Sequence, residues 1–427
     1  MRGRRGWIVV ACCVLAAGAG AVEVDPTRFE ATLDAGIEAA GLEEVALGEA
    51  DGATAGPSGL ARARALKARL AAERAPAGAR TAAPAKKAKT VTVDCGKGES
   101  IQAAIDQNAS PIEIEVRGTC QENVEVRGKQ VTLRGADPLV DGIQGVTGST
   151  TGAALSILYV DGARIEGLSI GDGPGTGVGM WFSHVTMAGC RIAGNAGTGV
   201  HVSSGSFLDA RGLTVAENAR GLQAQRGGFA FCSGCTFTDN TGSAAVAANG
   251  GLLSLLSSVV AGRDGIAANF GSYADIDCVS DPTIVHPCSM TATRRAAFAL
   301  GDATAALFGA GDFTGQVVAN DRAHAFVFGA RQTAPGKNPA GNDIPNLVFD
   351  FATLWATPFV DEADVVHPSR LMGDTRVEGF SRALLDDGTE IDGQVACSRA
   401  GDAWADGVVL TPGSAIVGCE HAPPPAP

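Results

Sequence analysis

The sequence predicts an all-β solenoid, a parallel β-helix whose coils of about 22 residues fill residues 90–422. Three observations predict it. An asparagine recurs at Asn195, Asn218 and Asn240 in aligned segments, at intervals of 23 and 22 residues. Between these asparagines, apolar residues alternate over short runs, as at Leu213 and Val215, then Leu222 and Ala224, which is the period of a strand. The chain also carries 58 glycines and few helix signals, a composition suited to many short strands joined by tight corners.

One such turn cannot bury its own apolar side. Stacking successive coils, each hydrogen-bonded to the next, supplies a continuous core and satisfies the backbone. An asparagine repeated at one corner then has the asparagines of adjacent coils as partners, so Asn195, Asn218 and Asn240 are expected to form a ladder.

Upstream, Arg2, Arg4 and Arg5 precede an apolar run from Trp7 to Ala17 and the small residues Ala19-Gly20-Ala21. This is the pattern of a secretory signal peptide over residues 1–21, so the protein is expected to be exported, to the periplasm, the cell surface or the medium. Val9-Val10-Ala11-Cys12 offers a lipoprotein processing site as an alternative. No other stretch is apolar enough for a membrane span. From Asp25 to Glu73, Phe29, Leu33, Ile37 and Leu42 recur at helical spacing, and a Pro/Ala/Lys-rich linker follows. Residues 22–89 therefore read as a helical arm and tether. Residues 423–427 read as a Pro-rich tail.

The net charge is −13, and losing the signal with its three arginines makes it −16. Such a chain repels phosphate backbones, and its densest basic stretch, Lys86-Lys87-Ala88-Lys89, lies in the linker, so nucleic acid is not an expected partner. Oligomeric state is not legible.

Nine cysteines remain after the signal. Cys95 with Cys120, Cys278 with Cys288, and Cys397 with Cys419 would each close a short local loop, as expected of disulfides in an exported protein. Cys190, Cys232 and Cys235 are read as buried free thiols, with a local Cys232–Cys235 bridge as the alternative, since Gly234 permits a sharp corner. No second cysteine or histidine pair stands at ligand spacing, so no metal site is expected.

Residues 90–278 resemble the pectin-lyase-like superfamily of right-handed parallel β-helix repeat proteins. The resemblance rests on Cys95-Gly-Lys-Gly-Glu-Ser-Ile-Gln-Ala-Ala-Ile-Asp106, on Ile114-Glu-Val-Arg-Gly-Thr-Cys-Gln-Glu-Asn-Val-Glu-Val126 followed by Val131-Thr-Leu-Arg-Gly135, and on the asparagine ladder. It implies that the first segment is an N-terminal capping helix, with Ser100 at its N-cap, and that the second holds the first coils. It does not choose among the lyases, hydrolases, epimerases and adhesins that share this fold. Beyond Cys278 the repeat is harder to follow, and the turn-rich stretch 333–346 reads as a long loop.

A β-helix is packed solid inside, so function is sought on its outward columns. His184, Phe207, Phe229 and Leu252 share one, an apolar stripe that the helical arm is expected to cover. His201, Ser203, Gln223, Gln225 and Arg226, with Asn249 nearby and Asp209 on another strand of the same coil, make a polar ladder able to bond sugar hydroxyls. With two tyrosines and four tryptophans in the chain, an extended aromatic platform is not expected. The leading reading is an exported solenoid that binds a polysaccharide or surface partner along its outer face.

The alternative is a polysaccharide lyase or C5-epimerase acting on uronic-acid polymers. That chemistry needs a base beside a cation, which in a lyase can be Ca2+; no other cofactor is expected. Asp264, Asp275 and Asp277, with Arg263, Arg294 and Arg295, are the candidate catalytic groups in one stretch of sequence, and Asp361, Glu362, Asp364 and His367 are a further candidate cation cluster. No Asn-Thr-Asp, Asp-Asp or Gly-His-Gly run of a hydrolase of this fold is present.

Overall fold

The computed structural model describes residues 88–149, 151–278, 288–309, 312–338, 340–360, 366–399, 401–405 and 407–419. The expected signal peptide, arm and most of the linker lie outside the described residues, as do the tail and Asp361, Glu362 and Asp364.

The described chain winds as a right-handed parallel solenoid with three faces. Face A is a 14-stranded sheet, one strand per coil, running from Lys89–Asp94 through His184–Ala188, Phe207–Arg211 and Phe229–Ser233 to Asp402–Ala405. Face B is built of short strands such as Arg191–Ala193 and Thr214–Ala216, and face C of longer ones such as Thr176–Trp181, Thr198–Ser203 and Arg220–Gln225. Four long strands, Thr236–Ala248, Val259–Asn269, Ser289–Leu300 and Asp312–Asn320, run through the corner and merge faces B and C into one hydrogen-bonded system.

Parallel register makes every inward position a column. On face A, Leu133, Ile165, Met187, Ala210, Cys232 and Leu255 stack coil on coil, and all are buried. A helix, Ile101–Gln107, lies at the start of the solenoid, and its Ile101, Ala104 and Ile105 join the same core. Ser100 accepts from the Ala103 amide at 3.1 Å and donates to Glu122 at 2.7 Å, which supplies the orphan amides of the first turn.

The asparagine ladder fills the corner between faces B and C. Asn195 Nδ2 donates to Asn218 Oδ1 at 2.9 Å, and Asn218 Nδ2 donates to Asn240 Oδ1 at 3.2 Å. The same oxygens accept the backbone amides of Asn195 and Asn218, both at 3.1 Å, so each side chain serves two coils.

Disulfides join Cys95 to Cys120, Cys278 to Cys288 and Cys397 to Cys419. A fourth joins Cys232 to Cys235, correcting the reading of three free thiols. Cys232 points inward from face A and Cys235 inward from the next face, and Gly234 turns the corner between them at φ 62°. Their Cα atoms are thereby brought to 6.0 Å. Among the described residues Cys190 alone is free, and it is buried.

Coils continue past Cys278, where the sequence repeat was lost. The segment read as a loop at 333–346 contains an antiparallel pair, Gly336–Lys337 with Asp343–Ile344, tied by the Lys337–Asp343 ion pair. A second antiparallel pair, Phe359–Val360 with Val366–His367, follows. These insertions stretch the face A interval from 22 residues between Phe207 and Phe229 to 29 between His324 and Thr353, which hides the period without changing the register.

Candidate functional site

Face C carries the predicted ladder. His201 pairs in register with Gln223, and Ser203 with Gln225, so their side chains form two outward columns. One coil earlier the same columns hold Gly179 and Trp181. The indole of Trp181 lies across Gly179 and leaves no room there for a Cβ. It meets the His201 ring edge-on, with centroids 5.9 Å apart and an interplanar angle of 87°.

His201 is half-buried, and its Nε2 is closed off from solvent without a hydrogen-bond partner. Burial, and secondarily the charge of Arg226, hold its pKa below the usual imidazole value, so at neutral pH it presents a neutral ring. Gln223 donates to Gln225 at 3.1 Å, and Thr198 donates to Gln223 at 3.5 Å. The outer edge of the ladder is the corner between faces C and A, where Ser204, Arg226 and Asn249 take left-handed φ of 55°, 51° and 50°.

Farther along face C the columns become apolar. Val246, Ala248 and Ala267 are buried together and pack against Phe298. Beside them Asp264 Oδ1 lies 3.0 Å from Arg295 Nε, while its Oδ2 lies 4.0 Å from both Arg263 and Arg294. Arg295 in turn places its guanidinium 4.5 Å from the Phe298 ring centre. One carboxylate thus serves as counter-ion to three guanidinium groups.

The acids grouped in the sequence are not grouped in space. Asp275 and Asp277 do point to one side of a strand, Tyr273–Asp277, but that strand is on face A, whereas Asp264 and its arginines stand where face B turns into face C. Asp275 and Asp277 are only 3% and 8% exposed. Asp209 is also on face A, 3.6 Å from Arg211, with its Oδ1 unpartnered, and so does not join the His201 ladder. Among the described residues no group of three or more His, Cys, Asp or Glu side chains converges to hold a metal ion. The groups expected of a calcium-assisted lyase are therefore not assembled at one described point.

On face A, His184, Phe207, Phe229 and Leu252 stand in register, as the sequence suggested. The rings of His184 and Phe207 meet edge-on at 4.9 Å, and those of Phe207 and Phe229 stack at 5.1 Å. The arm expected to cover them is outside the described residues.

Sequence reasoning missed the corner aromatics. Tyr159 and Phe182 sit in the C–A corner on successive coils, their rings stacked at 5.2 Å and 58% and 57% exposed. Phe270 occupies the same corner four coils on from Phe182, and Phe351 and Phe380 form a further stacked pair at 5.5 Å. Counting only tyrosines and tryptophans left out Phe182, Phe270, Phe351 and Phe380. The legible signal was an aromatic directly after a face C strand, at Tyr159 and again at Phe182.

Residues 109–272 match a family described as a right handed beta helix region. No curated protein matches the sequence. Among solved structures, the chain is similar to the tailspike of an Acinetobacter phage at 12% identity, over 76% of this chain and 62% of that one, with a TM-score of 0.39. It is also similar to an alginate lyase from a Paenibacillus species at 14% identity, over 78% and 98% of the two chains, with a TM-score of 0.28. A pectin methylesterase from Erwinia chrysanthemi aligns at 9% identity over 76% and 93%, with a TM-score of 0.25. None of them carries a residue or a substrate over to this chain. With residues 109–272 matched to that family and parallel coils continuing on either side of them, the described chain has the fold of a right-handed parallel β-helix.

Proposed function

We propose that face C, from Trp181 to Gln225, binds a carbohydrate chain. The observation that carries this reading is the outward pair of columns in which an indole, an imidazole and two glutamine amides follow one another on adjacent coils. Amides and a neutral imidazole exchange hydrogen bonds with hydroxyl groups, and an indole lying flat on a sheet gives the apolar face of a sugar a surface. Strand spacing of about 4.8 Å sets these groups at near-regular intervals along the solenoid axis, which suits a repeating polymer.

Recognition without turnover is the reading we favour, because Asp264, on the strand two coils beyond Gln223, has both oxygens engaged by arginines. Export fits the same picture: four disulfides belong to an oxidising compartment, and residues 1–21 read as a signal peptide.

The test is a glycan array probed with the protein lacking residues 1–21, with and without calcium, alongside an ultraviolet assay for the unsaturated product of a lyase. Binding that is lost on joint replacement of His201, Gln223 and Gln225 by alanine supports the reading. Absence of binding to any glycan overturns it. Unsaturated product would replace it with the lyase alternative.

A further inference from the structure

The corner between faces C and A repeats one backbone conformation on every coil, and what it carries changes along the axis. In register from Tyr159 the corner holds Phe182, Ser204, Arg226, Asn249 and Phe270, all with φ between 50° and 56°. The pairings Trp181 with Ser203, Ser203 with Gln225, Gln225 with Ala248 and Ala248 with Asn269 fix that order. Left-handed backbone suits glycine, asparagine and aspartate. For a bulky side chain it is strained, and a ring left more than half exposed gains little burial in return. Strained residues that local packing does not reward are drawn to ligand sites.

Phe182 stacks on Tyr159 on one side only. Its other ring face looks along the axis toward Ser204, whose side chain is too short to cover it. One coil beyond Ser204 comes Arg226, exposed at the corner. Two coils separate the Phe182 ring from the Arg226 guanidinium, a gap of about 9.6 Å at the usual strand spacing. A ring held between two flat groups needs a contact of about 3.5–4.0 Å on each side, about 7–8 Å in all, and the remainder accommodates the pucker of a pyranose. Ser204 forms the floor, its Oγ 3.4 Å from that of Ser203 and free to rotate toward a ligand hydroxyl.

We propose that Phe182, Ser204 and Arg226 form a slot that takes one pyranose ring edge-in, stacked on the phenyl ring and capped by the guanidinium. This rests on the carbohydrate reading of face C and deepens it, because the slot opens directly beside Ser203 and Gln225. A chain lying on the ladder would turn one unit into it. The phenyl ring favours a sugar presenting a face of axial C–H bonds, and Arg226 favours one with a hydroxyl, carboxylate or sulfate on the opposite side.

The experiment measures binding of α-glucan, β-glucan and polyuronate oligosaccharides by titration calorimetry to the whole protein and to single variants. Phe182→Asn places a residue that accepts left-handed backbone, so its melting temperature is expected to hold or rise while affinity falls about tenfold, the loss of one good stacking contact. Phe182→Trp is expected to bind as well as the unaltered chain, and Arg226→Ala to weaken binding while leaving melting unchanged. Phe351→Asn, at the distant stretch of the same corner, serves as the control and should bind normally. If Phe182→Asn binds as the unaltered chain does, while the joint His201, Gln223 and Gln225 variant does not, the slot is wrong and the ladder stands. If the unaltered protein binds none of the oligosaccharides, the slot and the ladder reading fall together.

Discussion

Asn195 Nδ2 stands 2.9 Å from Asn218 Oδ1, and these two side chains, 23 residues apart in sequence, close the corner of two successive coils. The Asn218 amide group also donates to the Ile192 and Ala216 carbonyls at 3.1 and 2.8 Å, and the residue is fully buried. Replacing Asn218 by alanine takes away the acceptor of the Asn195 backbone amide and the side-chain donor to Asn240 Oδ1 and to the Ile192 carbonyl, in a site closed to water. The expected cost is about 3 kcal/mol, since each buried orphan costs about 1–3 kcal/mol and partial relaxation recovers some of it. Chemical denaturation of Asn218→Ala checks this, and a midpoint within error of the unaltered protein would refute it.

The Cys232–Cys235 bridge makes a countable difference. With the signal removed, the unfolded but unreduced protein should titrate one thiol, that of Cys190. Three would mean the bridge is absent. Replacing both bridged cysteines by alanine should cost about 2 kcal/mol, the closure entropy expected of so short a loop.

Cys190 also sets an alkaline limit. Burial pushes its thiol up to about 11 from the ordinary value of 9.0, outweighing the backbone hydrogen bonds of Leu168, Ala188 and Gly167. Between these values the unfolded chain gives up a proton that the folded chain keeps, so stability falls as pH rises from 9 toward 11. The loss from this one group approaches about 3 kcal/mol. Cys190→Ala should flatten that part of the pH profile.

His201 and His324 act at the other end. Burial is the leading cause that holds both below the usual imidazole pKa of 6.5. As pH falls through that value the unfolded chain takes up protons that the folded chain refuses, so both residues withdraw stability in acid. His324→Gln should lessen the drop in melting temperature between neutral and mildly acidic pH, and an unchanged drop would show that His324 is not the cause.

The fold was legible where the repeat was undisturbed. Asn195, Asn218 and Asn240 fall at near-constant intervals because no insertion separates their coils, and the columns of His201 with Gln223 and of Phe207 with Phe229 follow from the same count. Past Cys278, antiparallel inserts such as Gly336–Lys337 with Asp343–Ile344 break the count, and the coils there became visible only in three dimensions. The acid grouping failed for a related reason. Asp264 and Asp275 are eleven residues apart, yet the chain turns a corner between them and places them on different faces. Cys232 and Cys235 invert that lesson, for the corner between them is what brings two inward side chains together.

The inserted pairs leave and re-enter the solenoid between face strands, and the face A strands on either side of them stay in register. Length can therefore accumulate between strands without renegotiating the core, and a whole coil can be gained or lost as a unit. In a lineage of such chains the surface ledges would lengthen, shorten or acquire overhangs by duplication and slippage, while the buried columns keep the same residues facing one another.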